Sequence, residues 1–264
     1  MNALSQRWAS WASLDHKLLD WCWHLQPLEP LADLHKLFQE SPFVMLPGLT
    51  ENTLLAKQLE SCVGPFDVNV SLGSLMDHER EPINLFVPSR QPLPNTEYFV
   101  DYLLDQSRRL ILGRPGLTIL LVDDDQLRRK LTSELAAEFG TRVIYQSTSP
   151  LSNGVICCSS SWWLFYQEKL PLPEQLIITI LPFSTLELPL TAERVEAYKL
   201  QGYDWFRDLL LPDLLAFMPR LVLPVRKNQG RVAILDGRLR SRVWGKKVFE
   251  VLEPWSPLDR LLPD

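Results

Sequence analysis

Between Arg220 and Lys247 the chain carries nine basic residues and a single acid, Asp236. The chain as a whole has a formal net charge of −5, so this stretch is a concentrated cationic segment on an acidic protein. Arginine offers a planar fork of donors that fits phosphate oxygens two at a time, and lysine adds a compact positive charge. The chemistry open to such a segment is phosphate or nucleic-acid binding. Arg226, Gln229 and Arg231, with Gly230 between the last two, are the sharpest polar candidates. Arg226 reads as part of a loop and Arg231 as the start of a strand, and an arginine so placed can reach a phosphate across a domain interface. Arg238, Arg240, Arg242, Lys246 and Lys247 can track a nucleic-acid backbone. The same charges would also suit a solvated basic hairpin, but the apolar run Val232–Leu235 in their midst is not the composition of a simple tail.

Other residues invite other chemistry. Trp162 and Trp163 follow three serines just after an apolar run, where aromatic rings can stack on bases or plug a sheet against a helix. Packing is the favoured of those two readings. Leu120-Leu121-Val122 runs into Asp123, Asp124 and Asp125, which is how a carboxylate metal site of the phosphoacceptor type begins. That site needs a further aspartate at a later strand end, and none occurs between Asp125 and Asp204. The acids therefore read as a helix N-terminus, where negative charge is favoured. No Gly-x-x-x-x-Gly-Lys-Ser/Thr loop and no D-E-x-H box occurs in the sequence, so the parts that cradle nucleotide phosphates and magnesium are not present in it. Histidines stand only at 16, 24, 35 and 78, and no Gly-x-Ser-x-Gly elbow exists, which leaves hydrolytic triads no foothold. Cys22, Cys62, Cys157 and Cys158 have no metal-ligand spacing, so no metal site is expected.

The elements that must position these residues follow from periodicity. The chain has 264 residues, of which 46% are hydrophobic, enough for a sizeable core, and 21 are prolines, which implies many loops. No apolar run reaches the ~18 residues of a membrane span, and the N-terminus has no signal-peptide pattern. No membrane association and a cytoplasmic location are expected. Trp8, Trp11, Leu14, Leu18, Trp21 and Leu25 recur at three- and four-residue steps, which predicts an amphipathic helix over Leu4–Leu25. Further elements are expected as a helix over Leu31–Gln39, a strand over Phe43–Leu46, a helix from Thr50 or Glu51 to Cys62, and a strand around Val68 and Val70. Ile83–Val87 is an apolar run, and Pro88, Pro92 and Pro94 make an extended connector. Beyond Asn95 the pattern alternates. Helices are expected over Tyr98–Leu112, Gln126–Phe139, Ala192–Leu200 and Trp205–Phe217. Strands are expected over Leu117–Val122, Arg142–Tyr145, Val155–Cys158 and Gln175–Leu181, and the segments Arg231–Leu235 and Lys247–Leu252 close the set. Unbroken apolar strands separated by helices predict an α/β fold, a mainly parallel sheet covered on both faces, with a helical N-terminal extension.

With the motifs in this order, the chain resembles the C-terminal motor half of the DinG/XPD branch of superfamily 2 DNA helicases. Phe43-Val44-Met45-Leu46-Pro47-Gly48-Leu49 stands where that family has an S-A-T-like turn. Leu85-Phe86-Val87-Pro88 through Pro92-Leu93-Pro94-Asn95 matches its connector, and Ser161-Trp162-Trp163-Leu164 sits at its F-W-E-G stretch. Leu181-Pro182-Phe183-Ser184 with Leu188-Pro189-Leu190 fits its L-P-F segment. Val232-Ala233-Ile234-Leu235-Asp236-Gly237-Arg238 with Trp244-Gly245 fits its L-D-x-R ending. The resemblance covers about Ser41 to Pro254, and implies a RecA-like fold. It divides the chain into 1–72, like the end of a first motor domain, a connector 73–95, and a C-terminal motor domain 96–264. It assigns Arg226 the place of an arginine finger, and Gln229, Gly230 and Arg231 a nucleotide-side role. Arg238, Arg240, Arg242, Lys246, Trp162 and Trp163 become candidates for contact with single-stranded or branched DNA.

The departures from the family are as telling. Leu164-Phe165-Tyr166-Gln167 lacks the acids of the coupling motif, and Leu223 stands where a first finger arginine belongs. The iron–sulfur cysteine pattern is missing, so no cluster is expected. ATP and magnesium are expected to act only with a partner domain or separate chain that bears a P-loop. Two functions remain open on these residues: helicase-type coupling with such a partner, or a non-catalytic module for nucleic-acid or protein interaction.

Overall fold

The structure, a computed structural model, describes residues 8–15, 20–28 and 81–258. The elements expected within 31–70, including the S-A-T-like turn at Phe43–Leu49, lie outside these. Two compact units divide the chain: Met1–Ser71 with Phe183–Ala216, and Leu72–Pro182 with Phe217–Asp264.

In the first unit the expected N-terminal helix is not found. Trp8–Asp15 is a strand (β1) and Asp20–Pro27 a second (β2), paired antiparallel with Trp11 opposite His24. The apolar residues fit two periods at once, and tryptophan favours a pleated surface. On one face Trp11 stacks on His24 at 5.1 Å, and Ala9 is buried. On the other, Trp21, Trp23 and Leu25 alternate and are exposed. The same unit holds helix Pro189–Leu200, whose first turn carries the proline that a helix start tolerates. A π-helical turn, Phe206–Leu210, follows. Val195, Leu209 and Leu210 form its small core, against which Phe183 and Phe206 pack.

The second unit is a seven-stranded sheet. Its strands are β3 (Ile83–Phe86), β4 (Thr118–Leu121), β5 (Val143–Tyr145), β6 (Val155–Cys158), β7 (Gln175–Ile178), β8 (Arg231–Ile234) and β9 (Trp255–Pro257). They lie in the order β5-β6-β4-β7-β8-β3-β9, and every pairing is parallel. A strand buried on both faces needs no polar alternation, which is why the four residues of β4, β6, β7 and β8 are all buried. Leu120, Cys157, Ile177 and Ala233 point to one face and join a core with Leu103 and Leu110 of helix α1 (Phe99–Leu112) and Leu131 and Leu135 of helix α2 (Asp125–Phe139). Their neighbours Ile119, Ile156, Leu176 and Val232 point the other way and are equally buried, so both faces are covered. This is the α/β, RecA-like architecture expected from the sequence. Asp124 caps α2, its carboxylate accepting from Leu127 N at 2.6 Å, and Gly140 ends it at φ +61.

Three elements depart from expectation. Helix α3 (Ser160–Tyr166) follows β6 directly. The helix expected to stop at Phe217 runs over Leu211–Lys227 (α4), through Pro219 and Pro224. Each proline removes a backbone donor, yet Met218, Leu221, Val222 and Val225 are buried and hold the helix together. The apolar segment at 247–252 falls in a helix, Gly245–Val251 (α6), preceded by a single turn, Arg238–Ser241 (α5).

Candidate nucleic-acid interface

Because all seven strands are parallel, their amino ends share one edge of the sheet and their carboxyl ends the other. Ligands in such sheets bind beyond the carboxyl ends. Strand β8 crosses between the edges, and its four residues span about 13 Å. The basic segment that is continuous in sequence is therefore two groups in space.

The amino-edge group is Arg226, Gln229, Gly230 and Arg231. Arg226 lies in the last turn of α4, not in a loop, and is only 6% exposed. Its Nη1 donates to the carbonyls of Glu81 at 2.7 Å and Pro254 at 2.8 Å, and its Nη2 to that of Leu252 at 2.7 Å. Glu81 precedes β3 and Pro254 precedes β9, so one guanidinium ties α4 to the starts of two strands. Gln229 is exposed at φ +51, a tight-turn conformation, with its N–H donating to Arg226 O at 3.0 Å. Gly230 must be small: a Cβ there would sit 2.7 Å from Glu174 O and 2.8 Å from Val225 Cγ1. Arg231 opens β8 and is buried, with Nε donating to Gln175 Oε1 at 2.6 Å and Nη2 to Leu110 O at 2.9 Å. Burial, and after it the neighbouring charge of Arg114, brings its guanidinium down to about 10.

The carboxyl-edge group starts at Asp236, two residues beyond β8 and fully buried. Its carboxylate accepts from Leu181 N at 2.9 Å and from Arg238 N at 2.9 Å. The Arg238 guanidinium also donates to it, from Nη2 at 2.7 Å and from Nε at 3.0 Å. Arg240 Nη2 donates to Val87 O at 2.7 Å, just past β3, and Gln91 Nε2 to Ile234 O at 3.0 Å. This network knits the carboxyl ends of β7, β8 and β3 and fixes the direction in which α5 leaves the sheet. Gly245 lets α6 start against the Leu239 carbonyl, where a Cβ would have no room. Arg240 at the end of α5, Arg242 in the turn after it, and Lys246 and Lys247 in the first turn of α6 are then exposed around Val243, which is 94% exposed. No acid lies between Arg238 and Lys247 in sequence to neutralise them.

At the carboxyl end of β6 the serines act as a cap. Ser159 Oγ accepts from Trp162 N at 3.2 Å, and Asp123 accepts from Ser160 N at 2.6 Å and from Ser160 Oγ at 3.0 Å. Asp125 takes donors from Arg128, Arg129 and Tyr145, and the Tyr145 hydroxyl foremost holds its carboxyl below the usual range. The three aspartates thus serve local structure. Trp162 and Trp163 part company: Trp163 is fully buried with Nε1 donating to Leu221 O at 2.9 Å, whereas Trp162 stays partly exposed. Tyr166 lies against Trp162, and Phe165 against Tyr166; in the sequence only their aromatic character one helical turn from Trp162 marks them. Among the described residues, no group of three or more His, Cys, Asp or Glu is placed to hold a metal ion. No described helix is long and apolar enough to cross a membrane.

A parallel α/β sheet with basic residues gathered past one carboxyl edge is the kind of domain that works on phosphate-bearing ligands. Comparison with curated proteins points the same way. The chain is 24% identical over 196 residues to the ATP-dependent DNA helicase YoaA of Escherichia coli K12, a match covering 69% of this chain and 31% of that protein. It is 30% identical over 105 residues to the YoaA helicase of Haemophilus influenzae, covering 38% of this chain and 16% of the relative. The matches thus span about a third or less of these relatives' length. No protein-family model matches. The similarity is distant and relates this chain to a part of those helicases.

Proposed function

We propose that the chain is a nucleic-acid-binding module on a helicase-derived fold, which binds single-stranded or branched DNA through Arg240, Arg242, Lys246 and Lys247. The observation that carries this is the exposed cluster of cations along α5, the turn after it and the start of α6, on the sheet edge where α/β ligands sit and on a chain of net charge −5. In this reading 1–72 corresponds to the end of a first motor domain, 73–95 to the connector and 96–264 to the second motor domain. Neutralising several phosphates releases counterions, so binding should weaken steeply as salt rises. A fluorescence-anisotropy titration with single-stranded oligonucleotide at several salt concentrations tests it. Affinity that ignores salt, or no binding at low salt, contradicts the proposal.

The module by itself is proposed not to hydrolyse ATP. Phosphoryl transfer needs a phosphate cradle and a magnesium site as well as an arginine aimed at the developing charge. The 264 residues hold no P-loop motif. The Arg226 guanidinium, in turn, is engaged with three backbone carbonyls. Coupling to ATP and magnesium would require a P-loop-bearing partner domain or chain, toward which Arg226 would have to be released. Incubating the purified chain with ATP, magnesium and single-stranded DNA should give no phosphate release above a protein-free control; DNA-stimulated release would contradict this reading.

A further inference from the structure

Helix α3 carries three aromatic rings, Tyr166 touching both Trp162 and Phe165. Trp162 and Tyr166 lie 4.8 Å apart between ring centroids, and Phe165 meets Tyr166 edge-on, also at 4.8 Å. The Lys169 ammonium lies over both of the latter, 5.8 Å from Phe165 and 5.4 Å from Tyr166. Phe165 is 70% exposed. A ring so exposed on a mobile segment would mean little, but α3 is held at its start and its middle. Asp123 and Ser159 fasten its first turn, and Trp163, buried from the opposite side, locks its middle to Leu221 of α4.

We infer that Trp162, Phe165 and Tyr166 form a preorganised stacking platform for the bases of a single-stranded nucleic acid, with Lys169 placed for a phosphate. The inference rests on the nucleic-acid reading above and adds a base-contacting surface to the phosphate-contacting one. Bases of any sequence offer a flat π-face, and aromatic rings beside cations are how such strands are held without sequence preference. The patch is small, with one broadly exposed ring and two that are mostly covered, which suits one base. A stable protein interface needs about 800 Å² from each partner. Lys169, resting on the rings in the free protein, is free to swing to a phosphate once a base takes its place.

The test compares a short oligothymidylate with an abasic deoxyribose-phosphate oligomer of the same length, each titrated against wild type, Phe165→Ala and Phe165→Trp. Loss of one stacked base should weaken oligothymidylate binding about five- to tenfold in Phe165→Ala. Binding of the abasic oligomer should be unchanged, and Phe165→Trp should restore the loss. Because the ring is exposed, the thermal midpoint of Phe165→Ala should match wild type, which separates lost stacking from lost fold. Equal binding of oligothymidylate by wild type and Phe165→Ala overturns the platform, as does an equal loss for both oligomers. If wild type binds neither oligomer, the nucleic-acid reading itself fails and the platform with it; if wild type binds and Phe165→Ala is silent, only the platform fails.

Discussion

The two edges of the sheet use the same residue type in opposite ways. At the amino edge Arg226 and Arg231 are buried, and the acceptors seen around them are carbonyls of the backbone and the Gln175 amide. At the carboxyl edge Arg238 is gripped by the buried carboxylate of Asp236, and Arg240, Arg242, Lys246 and Lys247 face solvent beyond it. The first set joins strands and helix together; the second leaves charge available to a ligand. A count of arginines cannot separate these roles, because the separation comes from a strand four residues long running between them.

That contrast can be broken by substitution. The largest loss is expected for Arg226→Ala, which strips donors from three backbone carbonyls. Urea unfolding should show about 4 kcal/mol of destabilisation. A variant as stable as wild type would put Arg226 outside the fold's framework. Asp236→Ala should follow at about 3 kcal/mol, since it leaves Leu181 N–H without its acceptor and Arg238 without its counter-charge. Asp236→Asn, which can still accept, should lose less in the same assay. Gly230→Ala forces a methyl against the Glu174 carbonyl and Val225, and a cost of about 2 kcal/mol is expected in its unfolding curve. At the far end of the scale, Arg242→Ala, Lys246→Ala and Lys247→Ala should each change stability by less than about 0.5 kcal/mol. In the proposed reading their effect is on binding.

Much of this arrangement was legible in the residues. β4, β6, β7 and β8 announce themselves as short unbroken apolar runs because a parallel strand is buried on both faces. α2 is bracketed by Asp124 and Gly140, whose cap and left-handed turn are backbone requirements written in residue type. The antiparallel pair of Trp8–Asp15 with Asp20–Pro27 was not legible, since Trp11, Leu14, Trp21 and Leu25 satisfy helical spacing while Trp21, Trp23 and Leu25 alternate as well. The continuation of α4 past Phe217 was hidden by Pro219 and Pro224, whose local cost is outweighed by burial that only the folded sheet supplies. At the candidate site, the cluster of cations was visible and its division was not. That Arg226 reaches Glu81 and Pro254 depends on β3 lying between β8 and β9, an adjacency between segments far apart in the chain. Likewise nothing in the pair Trp162-Trp163 says which ring turns inward; the rotation of α3 over Leu221 decides it.

The most direct measurement is the salt dependence of single-stranded oligonucleotide affinity for wild type and for the triple variant Arg242→Ala/Lys246→Ala/Lys247→Ala. If these cations meet phosphates, the slope of log affinity against log salt should shrink by about two, at roughly 0.7 per lost contact, while the unfolding curve stays in place. An unchanged slope, with binding intact in both proteins, would contradict the assignment of the carboxyl edge as the nucleic-acid surface.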